Sequence, residues 1–313
     1  MRARAARLVE HGKPLQVSEI DLPDPGPKEV VVDLAYAGVN PVDRYGALGL
    51  VGADAPVPRT LGNEGSGRVD GRAVMIRGYG VGTERDGLWA TRAVVPEEAL
   101  IDVPDGVDLR HAAAMGIAGV TAWRTVTEKA RVTEDDRVLV LGASGGVGSI
   151  VVSVAHAIGA TVWGQTGSAE KASWVGERGA DNVVVADAAS LADAARELHP
   201  TVVFDPLGDG FFGAAVEILD ERGRLVIFGT SADVTGEVSL QQLYRKGLTV
   251  FGYAGLIETD EAMAKGIRQA LEAQRDGRLE VVIDRVMPLG EVNDAFELLS
   301  ERGVKGKVVL ELV

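Results

Sequence analysis

A cluster of glycines follows a short apolar stretch near the middle of the chain. Residues 138–141 are apolar, and the turn after them contains Ala143, Ser144, Gly145, Gly146, Val147 and Gly148. An alanine- and valine-rich segment with helical periodicity comes next. Glycine lets such a turn take positive φ and lets its backbone approach a ligand. The helix N-terminus behind the turn suits a pyrophosphate, because free N–H groups and the positive end of the helix dipole meet the anion.

This turn fits the dinucleotide-binding pattern G-x-G-x-x-G in the register Ala143, Gly145, Gly148, with alanine in the first glycine's place. The pattern carries weight only between a strand and a helix, and both are indicated here. The sequence therefore predicts that residues 143–148 bind a dinucleotide. The alternative is a glycine turn with a purely structural role.

The elements around this turn alternate between apolar strands and helix-length segments. Helix-prone residues 112–127 open the series, and the predicted strands are 138–141, 161–163, 182–185, 202–204, 225–228 and 249–251. Short, nearly continuous apolar runs of this kind are typical of a parallel sheet buried on both faces. A doubly wound sheet binds its ligand at the carboxyl ends of the strands. The segments predicted to face the ligand are 142–148, 165–168, 205–208 and 229–231.

The rest of the chain has mixed or β-rich patterns. Strands are predicted at 29–38, 72–76 and 90–96, and the tail is predicted to contain helices at 260–275 and 291–302 and strands at 281–287 and 308–313. A strand at the extreme end suggests that the tail rejoins the first domain. The predicted organisation is α/β, with a discontinuous β-rich domain (1–115 and 258–313) and a doubly wound parallel-sheet domain (116–257).

Composition narrows the function classes. The chain has 313 residues, 46% of them hydrophobic and 25% charged, which is the profile of a folded globular protein. A net charge of −14 argues against a nucleic-acid backbone or an anionic membrane surface as partner. No apolar leader or bilayer-length apolar run is visible, so a cytoplasmic protein is expected. The chain has no cysteine and its four histidines lack ligand spacing, so no metal site is predicted.

Several motifs together resemble the medium-chain dehydrogenase/reductase superfamily, and more closely its zinc-free quinone oxidoreductase (ζ-crystallin-like) branch. The resemblance covers nearly the whole chain and is carried by residues 38–43 (GVNPVD), 61–67 (LGNEGSG), 119–123 (GVTAW), 143–148 (ASGGVG), 203–208 (VFDPLG) and 306–310 (GKVVL). In the zinc branch a cysteine ligand stands where this chain has Asn40. The absence of any cysteine independently supports the zinc-free branch.

The resemblance implies a GroES-like catalytic domain and a Rossmann domain, with a nicotinamide cofactor in the cleft between them. Members of the branch commonly use NADPH to reduce quinones or the C=C bond of α,β-unsaturated carbonyl compounds, and they are often homodimers. By motif, Asn40 and Tyr45 line the nicotinamide and substrate side and Thr121 faces the nicotinamide. The turn at 145–148 takes the pyrophosphate. The nicotinamide end of the predicted cofactor site is completed by Gly229, Thr230, Ser231, Phe251 and Tyr253.

The second strand of the doubly wound domain bears on the choice of cofactor. An NAD site usually places an acidic residue at the end of this strand. The end of this one, around Thr166, has no acid, and Ser168 and Lys171 offer a hydroxyl and an ammonium for a 2′-phosphate. NADPH is therefore the predicted cofactor. Asp187, after the third strand, would disfavour the phosphate if it pointed inward.

The chemistry implied is hydride transfer to a quinone or a conjugated carbonyl compound. Negative charge then develops on the carbonyl oxygen, where Asn40 is predicted to donate an amide N–H and Tyr45 or a water a proton. For Asn40 the alternative is a turn residue before Pro41, and for Tyr45 simple packing. The stretch 46–53 is apolar and predicts a hydrophobic substrate pocket. The competing functions are reduction of an enoyl thioester carried on CoA or a carrier protein and, more distantly, non-catalytic nucleotide binding.

Overall fold

The structure is a computed structural model that describes residues 1–52, 54–301 and 303–313. The chain divides into two compact units. Unit 1 comprises Met1–Val120, Glu258–Arg275 and Val281–Val313, and unit 2 comprises Thr121–Ile257 and Asp276–Glu280. The predicted α/β organisation, with a β-rich domain and a doubly wound parallel-sheet domain, is confirmed.

The strands within residues 137–252 belong to unit 2, and the other strands belong to unit 1. In chain order the strands are β1 (Arg2–Leu8), β2 (Gln16–Asp21), β3 (Glu29–Val39), β4 (Arg59–Thr60), β5 (Gly65–Val69), β6 (Arg72–Ile76), β7 (Arg92–Pro96), β8 (Leu100–Asp102), β9 (Arg137–Val140), β10 (Thr161–Thr166), β11 (Asn182–Val185), β12 (Val202–Asp205), β13 (Arg224–Ile227), β14 (Thr249–Gly252), β15 (Ile283–Pro288) and β16 (Lys307–Glu311).

Most of the α-helices are short. They are α1 (Pro41–Ala47), α2 (Leu109–Ala112), α3 (Val120–Arg124), α4 (Gly148–Ile158), α5 (Ala172–Gly176), α6 (Leu191–Ala195), α7 (Gly210–Ile218), α8 (Leu240–Arg245), α9 (Asp260–Arg275) and α10 (Val292–Ser300). Two π-helical segments, Met115–Gly119 and Thr125–Ala130, flank α3.

The main sheet of unit 1 runs β15-β16-β3-β5-β6-β8, with β7 also paired to β3, and β2-β1-β4 form a smaller sheet. The C-terminal strand β16 is antiparallel to β3, with Val308 opposite Val39 and Leu310 opposite Ala37. The tail therefore does return to the first unit. This register sets the residue before Val308, Lys307, across from the residue after Val39, Asn40. Trp89 fills the core beside β3 and donates from Nε1 to the Gly38 carbonyl at 3.1 Å.

The sheet of unit 2 is parallel and has the strand order β11-β10-β9-β12-β13-β14 over the described residues. In chain order within the unit this is 3-2-1-4-5-6, the doubly wound order of dinucleotide-binding domains. Leu139, Val203 and Leu225 on its central strands are fully buried. The order puts the reversal point between β9 and β12, where the glycine turn after β9 lies.

One predicted helix has a different form in the structure. Residues 112–127 read as helix-prone, but the chain there passes through the end of α2, the first π-helical segment, α3 and part of the second. The hydroxyls of Thr125 and Thr127 donate to the Thr121 and Trp123 carbonyls, both at 2.7 Å. Such bonds to carbonyls a turn back compete with regular helical bonding. The N–H of Ile117 is bonded to the Glu64 carboxylate, outside the helix.

Two further segments have limits in the structure that differ from those predicted. Helix α1 begins at Pro41, which the sequence suggested as the site of a turn; proline is well suited to the first position of a helix. The predicted helix 291–302 is observed as α10, Val292–Ser300. Arg302, at the end of that prediction, and Ala53, at the end of the apolar stretch 46–53, lie outside the described residues.

Candidate functional site

The turn between β9 and α4 depends on glycine at both ends. Gly142 has φ of +58°. A Cβ on Gly148 would overlap the Gly142 carbonyl oxygen, while a Cβ on Gly145 would lie 3.3 Å from the same oxygen. The essential glycines are therefore Gly142, just before the predicted pattern, and Gly148 at its end. Ala143, the alanine in the first pattern position, is fully buried.

Gln165, on the neighbouring strand β10, fixes this turn in place. Its Oε1 accepts from the Gly142 N–H and its carbonyl accepts from the Ala143 N–H, both at 2.9 Å. Its Nε2 donates to the Ala186 carbonyl at 2.6 Å, so one buried side chain links the turn to the end of β11. Sequence reasoning placed residue 165 in a ligand-facing segment but did not identify this structural role.

The N-terminus of α4 has no side-chain cap, and of its first N–H groups that of Ser149 is donated to the Gly145 carbonyl at 3.0 Å. Val147 is its N-cap residue, with no side chain capping the helix. The first N–H groups of a helix lack partners within it, and an uncapped terminus attracts an anion. Around it Ser144 is buried and Gly146 and Val147 are half-buried. Residues 143–148 can therefore hold a pyrophosphate with backbone groups alone.

The candidate 2′-phosphate residues follow β10. Thr166 is buried, and its hydroxyl accepts from the Ser168 N–H at 3.3 Å. Ser168 and Lys171 are half-buried; Ser168 precedes a short 3₁₀ turn, Ala169–Lys171, and Lys171 ends it. Together they offer a hydroxyl and a cation beside the end of the strand.

Asp187, the acid that could repel a 2′-phosphate, is bonded to its own loop. Its Oδ1 accepts from the Ser190 hydroxyl at 2.6 Å and from the Ser190 N–H at 2.9 Å. These hydrogen bonds lower the pKa of the exposed Asp187 carboxyl. The carboxylate therefore stabilises the loop that leads into α6.

The loops after β12 and β13 touch each other at the same edge of the sheet. The Ser231 N–H and hydroxyl donate to the Pro206 carbonyl at 3.0 and 3.2 Å. A Cβ on Gly229 would lie 2.9 Å from that carbonyl oxygen, so a side chain there would force the loops apart. Thr230 lies between these two contacts and is exposed. The loop 229–231 is thereby held at the carboxyl end of the sheet.

Asp205, at the end of β12, is a buried carboxyl that sequence reasoning placed in a ligand-facing segment without giving it a role. Its Oδ1 accepts from the Leu207 and Gly208 N–H groups at 2.7 and 3.0 Å. Burial raises the pKa of this carboxyl above its ordinary value. The bonded oxygen shapes the loop that meets Gly229 and Ser231.

The remaining residues of the predicted cofactor site in unit 2 are Thr121, Phe251 and Tyr253. Thr121 and Phe251 are half-buried, and Tyr253 is 6% exposed. The Arg124 guanidinium and the Lys129 ammonium lie over the Tyr253 ring, 5.7 and 5.8 Å from its centroid. Tyr253 therefore packs its ring against two cations of its own unit.

Asn40, the first of the predicted catalytic residues, belongs to unit 1 and is part of a buried polar network. It lies between β3 and α1 and is 3% exposed. Its amide Nδ2 donates to Glu64 Oε1 at 2.7 Å, and its Oδ1 accepts from the Lys307 ammonium at 2.5 Å. Lys307 Nζ lies 3.3 Å from Glu64 Oε1 as well. Nearly all of this three-residue cluster is hidden from solvent, since Glu64 is 0% and Lys307 4% exposed.

Asp43 extends the network on the other side of Asn40. Its Oδ2 accepts from the Asn40 backbone N–H at 2.8 Å and lies 3.4 Å from Nδ2 of the same residue. Its Oδ1 accepts from Asn63, at 2.6 Å from the side chain and 3.2 Å from the backbone. Burial raises the pKa of Asp43 to about 6, and the nearby Glu64 carboxylate adds to the rise. The donors on Asn63 and Asn40 and the Lys307 charge act in the opposite direction.

Two glycines make room for the Glu64 carboxylate. A Cβ on Gly38 would overlap Glu64 Oε1, and a Cβ on Gly116 would lie 3.1 Å from Oε2. Gly116 belongs to the π-helical segment whose Ile117 N–H donates to Oε2 at 2.8 Å, and Met75 also packs against it, so that a Cβ there would overlap the terminal methyl group of Met75. Every oxygen of this buried carboxylate therefore has a donor. Glu64 and Lys307 lie within the motifs that carry the family resemblance, but sequence reasoning gave neither a role.

Tyr45, the second predicted catalytic residue, lies on α1 two residues after Asp43 and is 40% exposed. The loop after α1 carries Leu48 and Leu50, which are 44% and 71% exposed. Arg59 anchors this loop through its guanidinium group. Its guanidinium is buried and lies 3.4 Å from the Gly52 carbonyl oxygen, and it donates to the Gly82 carbonyl at 2.9 Å. The structure thus presents Tyr45 and an apolar loop on the surface of unit 1, whereas Asn40 is buried.

The described residues contain no group of three or more histidine, cysteine or acidic side chains arranged to hold a metal ion. The oxygens nearest Asn40 are also unsuited to a cation, because Lys307 and backbone N–H groups already face them. Within the same described ranges, no helix has both the length and the apolarity needed to cross a membrane.

Comparison with known proteins identifies the family. The profile of the zinc-binding dehydrogenase family matches residues 146–272. Quinone oxidoreductase-like protein 2 of Mus musculus is 30% identical, over 99% of this chain and 92% of that protein. The quinone oxidoreductase of Thermus thermophilus, solved alone and with NADPH, is 27% identical with a TM-score of 0.86, over 99% of this chain and 100% of that one.

A solved NAD-dependent alcohol dehydrogenase is similar to the same degree. It is 27% identical with a TM-score of 0.88 and covers 99% of this chain and 100% of its own. The fold, the glycine turn before α4 and the relatives all point to the same family. The chain belongs to the quinone oxidoreductase branch of the medium-chain dehydrogenase/reductase superfamily and is an oxidoreductase of the nicotinamide-dependent type.

Proposed function

We propose that this protein uses NADPH to reduce a hydrophobic quinone or the C=C bond of an α,β-unsaturated carbonyl compound, without zinc. The observation that carries the proposal is the cluster around Asn40. It offers a neutral amide donor instead of a cysteine ligand, and an ammonium, Lys307, lies 3.3 Å from its Glu64 carboxylate. A site that stabilises a developing oxyanion by hydrogen bonds alone suits direct hydride transfer to a conjugated carbonyl.

The cofactor proposal is based on unit 2. The turn 143–148 and the uncapped start of α4 suit the pyrophosphate, and Thr121, Gly229, Thr230, Ser231, Phe251 and Tyr253 are proposed for the nicotinamide side. The bound nicotinamide supplies the hydride. NADPH is preferred because β10 ends at Thr166 without an acid while Ser168 and Lys171 follow, and because Asp187 is bonded to Ser190. The NADPH complex of the Thermus relative supports this choice, whereas the NAD-dependent neighbour makes NADH the outcome to test against.

Asn40 and Tyr45 are proposed to act on the substrate. One hydrogen of the Asn40 amide is donated to Glu64, whereas the second faces the longer, 3.4 Å contact to Asp43. At that distance the hydrogen bond to Asp43 is weak, so the second hydrogen is available for a carbonyl oxygen. The exposed phenol of Tyr45 donates the second hydrogen bond or the proton. Leu48 and Leu50 are proposed to contact an apolar substrate.

A homodimer is proposed on the basis of β14, which forms an edge of the parallel sheet. Val250 on this strand is 37% exposed, and Tyr244 on α8 is 68% exposed. An edge strand with exposed apolar side chains favours pairing with another strand. Sedimentation velocity tests the assembly, for which a dimer mass is expected.

The function is tested by following NADPH oxidation with three acceptors in the presence of a metal chelator: a quinone, an enone and an enoyl thioester. Turnover with the quinone or the enone supports the proposal. Turnover only with the thioester favours a carrier-linked enoyl reductase. Tight NADPH binding without turnover of any acceptor indicates a non-catalytic binder. Activity that requires added zinc contradicts the metal-free site.

A further inference from the structure

We infer that Lys307 is a positioning residue that fixes the orientation of the Asn40 amide and thereby the direction in which its free hydrogen is donated. The inference rests on the proposed function insofar as Asn40 faces the substrate. It gives a role to a buried lysine that neither the hydride chemistry nor cofactor binding requires. The geometry of the three buried side chains supports this role.

The two edges of the Asn40 amide face groups that cannot exchange roles. An ammonium only donates and a carboxylate only accepts, so the carbonyl oxygen must face Lys307 and the amide nitrogen must face Glu64. The observed contacts are 2.5 Å from Lys307 Nζ to Asn40 Oδ1 and 2.7 Å from Asn40 Nδ2 to Glu64 Oε1. A flipped amide would set N–H groups against the ammonium and an oxygen against the carboxylate.

Lys307 is itself held in place by the backbone. Its Nζ also donates to the Val39 carbonyl at 3.3 Å, and the register of β16 on β3 sets it beside Asn40. Glu64 is anchored in turn by the Ile117 N–H. Both charged side chains thus belong to elements distant from Asn40 in sequence and are bonded to backbone groups, so neither follows the amide if it turns.

Without Lys307 this constraint is lost. The Asn40 oxygen then loses its charged donor and keeps only the Asp43 backbone N–H of the α1 capping box, so the amide can rotate more freely about its side-chain torsion. The free N–H then no longer points in a single direction. Because catalysis depends on donors that are preorganised toward the developing charge, this loss slows the reaction. The expected consequence is a slower chemical step with cofactor binding intact.

The test uses the side-chain amide resonances of asparagine. The chain contains four asparagines, Asn40, Asn63, Asn182 and Asn293, so selective ¹⁵N labelling yields four resolvable side-chain pairs. Asn40→Ser assigns its pair by deletion. In Lys307→Met we expect the Asn40 pair to shift and to lose slow hydrogen exchange, with Asn182 and Asn293 unchanged. Lys305→Met, a half-buried lysine two residues earlier, is the control and is expected to leave all four pairs in place.

Kinetics provides the second readout. Lys307→Met is expected to lower kcat about tenfold to a hundredfold while the NADPH dissociation constant stays within about twofold. A folded Lys307→Met protein with an unchanged Asn40 pair overturns the inference. If that variant does not fold, Glu64→Gln decides, because it removes the charge on the opposite edge of the amide: a shifted Asn40 pair supports the inference, and an unchanged pair contradicts it. The spectra need no substrate, so they remain informative even if the proposed reaction is wrong.

Discussion

The glycine turn of unit 2 and the buried polar cluster of unit 1 are made from different parts of the chain. The turn occupies consecutive residues between β9 and α4 and works through backbone groups, with Gly142 and Gly148 supplying the space. The cluster gathers side chains from three distant segments, represented by Asn40, Glu64 and Lys307. A backbone site is tolerant of side-chain chemistry but intolerant of added volume. A side-chain cluster is sensitive to both, so the two sites should fail in separable ways.

The largest effect is expected from Gly148→Ala. The added Cβ overlaps the Gly142 carbonyl oxygen, so the turn must open and its N–H groups lose their alignment. Binding of NADPH, measured by reduced-nicotinamide fluorescence, is expected to weaken by about a hundredfold, roughly 3 kcal/mol. Gly176→Ala in α5 is the matched control, because a Cβ there meets nothing within 4 Å. Equal binding by both variants would show that the turn does not hold the cofactor.

The second largest effect is expected in the pH dependence of stability, which Asp43 controls. Burial raises the pKa of this carboxyl from 3.8 to about 6, so the folded protein holds the proton more tightly than the unfolded chain does. Stability from this group is therefore present at low pH and lost as pH rises from about 4 to about 6. Relative to Asp43→Asn, the wild-type free energy of unfolding should fall by up to roughly 3 kcal/mol across that window. Denaturant unfolding of both proteins at pH 4 and pH 7 measures the change, and a constant difference would contradict it.

A smaller effect is expected from Gly38→Ala, the counterpart of the Gly148 substitution in the other unit. Its Cβ overlaps the Glu64 carboxylate and displaces it from Asn40. We expect kcat to fall about thirtyfold, with NADPH binding unchanged. Gly303→Ala, where a Cβ meets nothing within 4 Å, is the control. A loss of NADPH affinity equal to that of Gly148→Ala would remove the distinction between the two regions.

The smallest effect is expected from Lys171→Ala. Loss of the ammonium should weaken NADPH binding about tenfold and leave NADH binding unchanged, because only NADPH carries the 2′-phosphate. Parallel fluorescence titrations with the two cofactors measure the selectivity. Equal losses for both would assign Lys171 a structural role instead.

The difference between the two regions also explains what the sequence could predict. The glycine turn was found because its residues are contiguous and its flanking strand and helix have strong periodicities. The strands of unit 2 were located to within a few residues for the same reason. The return of β16 to unit 1 was also predicted, since an apolar strand at the end of the chain needs a partner.

The polar cluster could not be predicted in this way. Asn40 was selected by motif, but its orientation depends on Glu64 and Lys307. Lys307 lies more than 200 residues further along the chain than either of the other two. Their meeting depends on the register of β16 on β3, which is set by packing and has no local signature. The two glycines that face Glu64 were the available signal, because Gly38 sits in a strand where glycine is otherwise unfavourable.

The proposal assigns cofactor binding to the glycine turn and the substrate to the Asn40 cluster. Its most direct test is a single-turnover measurement on Asn40→Ala. Hydride transfer from bound NADPH to an enone or quinone is followed in the wild type and the variant, with the NADPH dissociation constant measured in parallel. The rate is expected to fall about a hundredfold while the dissociation constant stays within about twofold. An unchanged transfer rate, or a loss confined to NADPH binding, would contradict the assignment of the Asn40 cluster to the substrate.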